Sequence, residues 1–217
     1  MSSDMARINL GDSAAVQKLI DSAPAGLEFL KFETAVFSRF AIVPGVEAAY
    51  GLTHYDERVG MFRCLGGDDP ICCTKWGAPR ATIVALAWQY LNASRADGRM
   101  PENEPILVAP KILRLSATNL EAMKTAAAEK GITLYDADWR GKKTADKKPL
   151  AILVVSLNPR WKNVSEEANR LMKPYLNGNA LDQALGKKVT RAEILLSIAN
   201  AGSGVPGDEQ PPIPVED

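Results

Sequence analysis

The chain holds one histidine and three cysteines among its 217 residues, and all four fall between His54 and Cys73. One imidazole and three thiolates make a complete tetrahedral ligand set of the structural Cys3His kind. Four protein ligands leave no open position for water or substrate, so such a centre holds the chain together and does no chemistry. The reading therefore puts His54, Cys64, Cys72 and Cys73 around a structural zinc ion. Gly66, Gly67 and Pro70 supply turns that bring the ends of the loop together. The spacing is unusual: nine residues, then seven, then none separate the four ligands. Adjacent residues on a strand point to opposite faces, so Cys72 and Cys73 can both ligate only where the chain turns. Buried free thiols and a disulfide stay open as alternatives.

The lone histidine also bears on catalysis. Once it is committed to the cysteine cluster, a Ser-His-Asp or histidine acid–base system has no member left. No Gly-x-x-x-x-Gly-Lys-[Ser/Thr] phosphate loop occurs, and the one Gly-x-Gly-x-x-Gly string, Gly202 to Gly207, runs into the proline-rich tail instead of following a strand. Asp136 and Asp138, two apart in a segment read as strand, would share a face and could hold a magnesium ion for a nuclease. Strand-face acids balanced by nearby lysines are the plainer reading, and the chain is expected not to be an enzyme. No apolar run approaches the roughly 18 residues of a membrane span, and Met1 to Ile20 has no apolar signal core. The expectation is a soluble, cytoplasmic protein.

Hydrophobic periodicity and turn residues divide the chain into four parts. Residues 1–26 read as an arm with a short helix, Ser13 to Ile20. Residues 27–160 read as mainly β. Strands are expected at Leu27–Phe32, Ala35–Val43, Val59–Cys64, Ala81–Leu91, Pro105–Leu115, Ile132–Trp139 and Leu150–Leu157, with the Cys/His loop at 54–73 inserted among them. One helix is expected here, opened by the capping-box pattern Thr118-Asn-Leu-Glu121 and stopped by Gly131. Residues 161–203 read as helical, at Ser165–Tyr175, Ala180–Leu185 and Thr190–Ala201. The proline-rich remainder, 204–217, reads as a disordered acidic tail. The fold class is mainly β, of the α+β kind.

Charge sharpens the picture. The net charge is zero, but Gly204 to Asp217 carries four acids and no Lys or Arg, which leaves +4 on residues 1–203. A mildly basic body with an acidic tail is a pattern that proteins handling nucleic acid can show. Between Trp139 and Lys162 lie Arg140, Lys142, Lys143, Lys147, Lys148, Arg160 and Lys162 against the single acid Asp146, with Trp139 and Trp161 bracketing them. Cations that track phosphates beside flat rings that stack on bases suit a single strand of nucleic acid, tolerant of sequence. The competing reading is a lysine-rich surface loop flanked by core tryptophans. Lys75, Trp76 and Arg80, directly after the cysteines, form a second patch. Arg95, Arg99, Lys111 and Arg114 are also available.

This order of parts resembles the single-stranded DNA-binding (helix-destabilising) proteins of tailed bacteriophages. The matching pieces are His54, Cys64, Cys72 and Cys73 between strands, the Ala81–Leu91 strand, and the tail ending Pro-Val-Glu-Asp. Together they span roughly residues 27–160 plus the tail. The family's closing C-x-x-C is here the adjacent pair Cys72-Cys73. The resemblance implies an OB-type β-barrel with an inserted zinc subdomain, acting on single-stranded DNA in replication, recombination and repair. It further implies an acidic tail that competes with DNA and recruits replication or recombination proteins, and self-association along the strand. A zinc-containing protein-binding adaptor or transcription cofactor is the alternative of another class, and a metal-dependent nuclease comes third.

Overall fold

The computed structural model describes residues 27–56, 60–66, 71–144, 150–176 and 179–202. The expected Ser13–Ile20 helix, the acidic tail, and Lys147 and Lys148 lie outside the described residues. The chain divides into two compact units. The larger comprises the residues up to Tyr50 together with Thr82–Ala184, and the smaller comprises Gly51–Ala81 and the residues from Leu185 onward. The class is α+β, with antiparallel strand pairing. No helix among the described residues is long and apolar enough to cross a membrane.

The larger unit is built on β1 (Ser38–Ile42), β4 (Arg80–Tyr90), β5 (Val108–Ser116), β6 (Asp138–Lys142) and β7 (Ala151–Ser156). The chain reaches the smaller unit through β2 (Ala49–Asp56), adds β3 (Gly60–Arg63) there, and returns through β4. In the larger unit the strand order is β5-β4-β1-β6-β7, with Phe40 paired to Gln89 on one side and to Trp139 on the other. No ladder among the described residues joins β5 to β7. The sheet is open, and the closed barrel expected from the resemblance is not what is seen.

β4 explains why the sheet needs cover on both faces. Thr82 to Trp88 are all buried, an unbroken run and not an alternation. On one face Ala85, Ala87, Leu113 and Leu115 meet Met123 and Ala127 of helix α2 (Ala117–Ala128). On the other, Trp88 stacks on Trp161 and its indole N–H donates to the Ala168 carbonyl of α3 (Ser165–Met172). The two short helices expected after it are α4 (Asn179–Ala184) and α5 (Arg191–Gly202).

Local chemistry moved several boundaries. Helix α2 is capped by Ser116, whose Oγ accepts from the Asn119 N–H at 3.2 Å, so the expected Thr118–Glu121 box is not used. β5 runs straight into the helix, and its last residue becomes the cap. The capping box is instead Thr190-Arg-Ala-Glu193 at the start of α5. There the Thr190 N–H donates to the Glu193 carboxylate at 2.7 Å, and the Glu193 N–H donates to Thr190 Oγ1 at 3.2 Å.

The expected strand Ile132–Trp139 is mostly turn. Asp136 folds back to accept from the Thr133 N–H and hydroxyl at 3.1 and 2.6 Å, which curls the backbone before it can join a ladder. β6 therefore starts at Asp138 and runs through Arg140 and Lys142, which the sequence placed in the connecting loop. Leu27–Phe32 is no ladder strand either. It makes only an isolated parallel bridge, Phe29 to Ile112, and a second such bridge joins Thr34 to Lys143.

The Asp136/Asp138 magnesium pair is overturned by the same geometry. Asp136 lies in the turn. Asp138 is fully buried, where Arg39, the Tyr90 hydroxyl and the Arg160 backbone N–H all donate to its carboxylate. Burial pushes its carboxyl above the ordinary aspartate value despite those partners. It is a structural anchor for β1, β4, β6 and the 3-10 helix Arg160–Val164.

Candidate metal centre and basic cleft

The smaller unit starts from a hairpin. β2 and β3 pair antiparallel, His54 opposite Phe62 and Thr53 opposite Arg63. Cys64 follows directly on the end of β3. Cys72 and Cys73 lie in the first turn of a short helix, α1 (Ile71–Trp76). That helix resolves the difficulty of adjacent ligands: consecutive helical side chains are rotated by about 100° and not by the strand's 180°.

The four ligand atoms lie within 4.8 Å of one another. The Sγ–Sγ separations are 3.5, 3.7 and 3.9 Å, and Cys73 Sγ is 3.8 Å from His54 Nε2. A tetrahedral ion with sulfur at ~2.3 Å and nitrogen at ~2.0–2.1 Å requires S···S near ~3.8 Å and S···N near ~3.6 Å. These four edges match to within about 0.3 Å, and the two remaining edges, from His54 to Cys64 and Cys72, lie within 4.8 Å. All three cysteines are free, which removes the disulfide alternative.

Protonation chemistry fits a cation. Burial lowers the His54 pKa and so favours the neutral imidazole that ligates. For Cys72, burial acts upward, but hydrogen bonds from the Leu65 backbone and the neighbouring thiols outweigh it and its pKa is lowered. Cys73 is pushed up to about 11, first by burial and then by its bonds to Cys64 and Cys72. One thiolate is favoured and the next is opposed, and a bound dication would favour both.

The centre is packed into the core of its unit. Phe62, Cys72 and Ile194 are buried, with Cys64, Leu65, Ile71, Cys73, Trp76, Val189 and Ile198 against them. Trp76, expected to stack on bases, packs edge-on against Phe62 at 4.9 Å, and its indole N–H donates to Asp56 at 2.8 Å. Lys75 lies 5.1 Å from that ring and Arg80 is exposed. Gly186 shows how closely the chain crosses here. Its φ is +106°, and an added Cβ would stand 2.8 Å from the Met61 carbonyl oxygen.

In the larger unit the structure separates the other expected residues. Trp139 is fully buried, and its indole N–H donates to the Leu134 carbonyl at 3.0 Å. Trp161 is buried and stacked on Trp88 with ring centres 4.3 Å apart. Neither ring offers a face to a base, which corrects their assignment as stacking groups. Arg140 donates to the Asp97 carbonyl, and Arg140 and Lys142 both lie over the Phe37 ring, at 4.7 and 4.5 Å. Lys143 and Lys162 are exposed, and Arg160 is half-buried.

Sequence reasoning missed the aromatic–cation pairing on this unit. Arg114 lies 3.8 Å from the centre of the Phe29 ring. Together with Lys31, Phe32, Lys143 and Leu150 they line a cleft of about 410 Å³ with an apolar floor and a basic rim. The available signal was the outward position of Arg114 on β5, between the buried Leu113 and Leu115.

No family model, curated protein or solved structure matches this chain.

Proposed function

We propose that this chain is a non-enzymatic, sequence-tolerant single-stranded DNA-binding protein with a structural zinc ion held by His54, Cys64, Cys72 and Cys73. The observation that carries the reading is the cleft over Phe29, where Lys31, Arg114 and Lys143 surround exposed apolar surface. Single-strand binders combine cations that track phosphates with rings that take bases, and here both lie in one recess. Arg114 contributes twice, as a charge and as a plane already stacked on a ring. Among the described residues Glu33 is the one acid lining this cleft, and it is paired with Arg95 at 2.5 Å. We read the open sheet, with residues 28–34 bridged to Ile112 and Lys143, as a variant of the OB architecture.

The zinc assignment follows from donor chemistry. Three thiolates and an imidazole at tetrahedral separations suit zinc and leave no site for a substrate. The ion would clip the hairpin to α1 in a unit too small to rely on its apolar core alone. In the same reading the acidic tail competes with DNA for the basic surface and recruits replication or recombination proteins when displaced.

The test is fluorescence anisotropy of a labelled oligo-dT of about 30 nucleotides, titrated with protein at low and high salt beside a duplex of equal length. Anisotropy suits this chain better than tryptophan quenching, because Trp88, Trp139 and Trp161 are buried. Single-strand binding that weakens steeply with salt and exceeds duplex binding is the expected result. Absence of binding, or equal affinity for duplex, overturns the proposal. The adaptor reading would then lead, on the exposed Leu195 and Leu196 of α5.

A further inference from the structure

The larger unit has a second cleft, of about 300 Å³, and it shares Phe29, Lys31 and Glu33 with the first. The two recesses adjoin along residues 28–33, so a strand laid across that segment meets both, and together they are called the groove here. Along it the cations are Lys143 and Arg114 in the first cleft, Lys31 in both, and Arg39, Arg95 and Lys111 in the second. Arg39 is committed to Asp138. Phe29 and Phe37 supply a ring in each half, each already under a cation.

Among the described residues, two carboxylates line this groove, Glu28 and Glu33. Each sits on a groove cation: Glu28 on Lys111 and Glu33 on Arg95, both at 2.5 Å. The glutamates are 73% and 55% exposed, so they reach the cations from the solvent side, where a passing polyanion would also approach. The Arg95–Glu33 pair is exposed on both sides, and such pairs contribute little to stability and are weakened further by salt. Lys111 is 17% exposed, so at the second pair it is Glu28 that lies open to exchange.

We propose that Glu28 and Glu33 are built-in counter-ions that hold Lys111 and Arg95 in the free protein and give way to backbone phosphates when a single strand lies along the groove. This rests on the single-stranded DNA reading. A carboxylate presents two anionic oxygens at about the spacing of two phosphate oxygens, so either can take the same guanidinium or ammonium donors. The bond to Lys111 holds the Glu28 carboxyl below the ordinary glutamate range, which keeps it anionic at neutral pH. The device keeps long cationic side chains positioned and lowers affinity for stray anions. The cost is part of the affinity for DNA.

The experiment is labelled oligo-dT anisotropy with the full chain at about 50 and 200 mM salt. It compares wild type, the double variant Glu28→Gln/Glu33→Gln, and Glu167→Gln. The control removes the same kind of charge from a pair with Arg170 on α3, whose residues do not line the groove. Glutamine keeps the shape of these exposed side chains, and unchanged circular dichroism and metal content verify the fold. The double variant should bind about 10-fold tighter at the lower salt with a steeper salt dependence, and the control should move less than about twofold. Arg95→Gln should weaken binding more in the Glu33→Gln background than in wild type. A double variant that binds like wild type, or gains no more than the control, overturns the inference while leaving DNA binding intact. If wild type does not bind the oligomer at all, the proposed function falls and takes the inference with it.

Discussion

At the residue scale, three features carry obligations their neighbours cannot take over: the Cys/His ligand set, Asp138 and Gly141. Replacing Cys73 or His54 by serine or alanine removes one corner of the ligand set, and bound metal should fall from about one equivalent to a small fraction by elemental analysis. Asp138 is the second. Asp138→Ala leaves the Arg39 guanidinium buried without its carboxylate, and the loss should be about 3–5 kcal/mol in denaturant unfolding. Gly141 is the third, because an added Cβ would stand 2.6 Å from the Phe32 ring. Gly141→Ala forces the ring or the strand to move and should cost about 1–3 kcal/mol by the same measurement.

At the element scale, helix starts are the sensitive points. Ser116→Ala removes the cap of α2 and should lower stability by about 1 kcal/mol, whereas Thr118→Ala should change little. The start of α5 adds a pH dependence. The Thr190 backbone N–H, then Lys187 and the Thr190 hydroxyl, hold the Glu193 carboxyl down at about 2. A folded pKa below the ordinary glutamate value stabilises the helix above that value, and the contribution is lost as pH falls from there toward about 2. Protection of the α5 amides, taken relative to the intrinsic exchange rate at each pH, should therefore fall across that window. In Glu193→Gln, which keeps the helix but cannot titrate, that acid-dependent step should disappear.

At the scale of the whole molecule, the two units have different sources of stability. The larger has an extended apolar core spanning β1, β4, β5, β6 and α2. The smaller has three buried core residues around its ligand set. A chelator that strips the metal should therefore abolish exchange protection in 51–56, 60–66 and 71–76 while β4 beyond Thr82 and β5 stay protected. Equal loss in both regions would show that the larger unit also depends on the ion.

What the sequence determined by itself was chemistry and period. One histidine and three cysteines in one window offer the donors of a ligand set. The apolar run read as a strand at Ala81–Leu91 is the strand Arg80–Tyr90, since an unbroken apolar run suits a strand covered on both faces. The same holds for the α4 and α5 helices, whose turns and periodicity are local. Tertiary structure decided the rest, because these features depend on partners distant in sequence. Cys72 and Cys73 can face one centre together only because their segment is a helix packed on a hairpin. Trp139 and Trp161 look alike in sequence to surface rings, but sheet pairing and stacking on Trp88 bury them. Asp136 and Asp138 part company because one caps a turn while the other is buried against an arginine 99 residues away. The Phe29–Arg114 recess was invisible for the same reason: its walls are made by residues that meet only when the sheet forms.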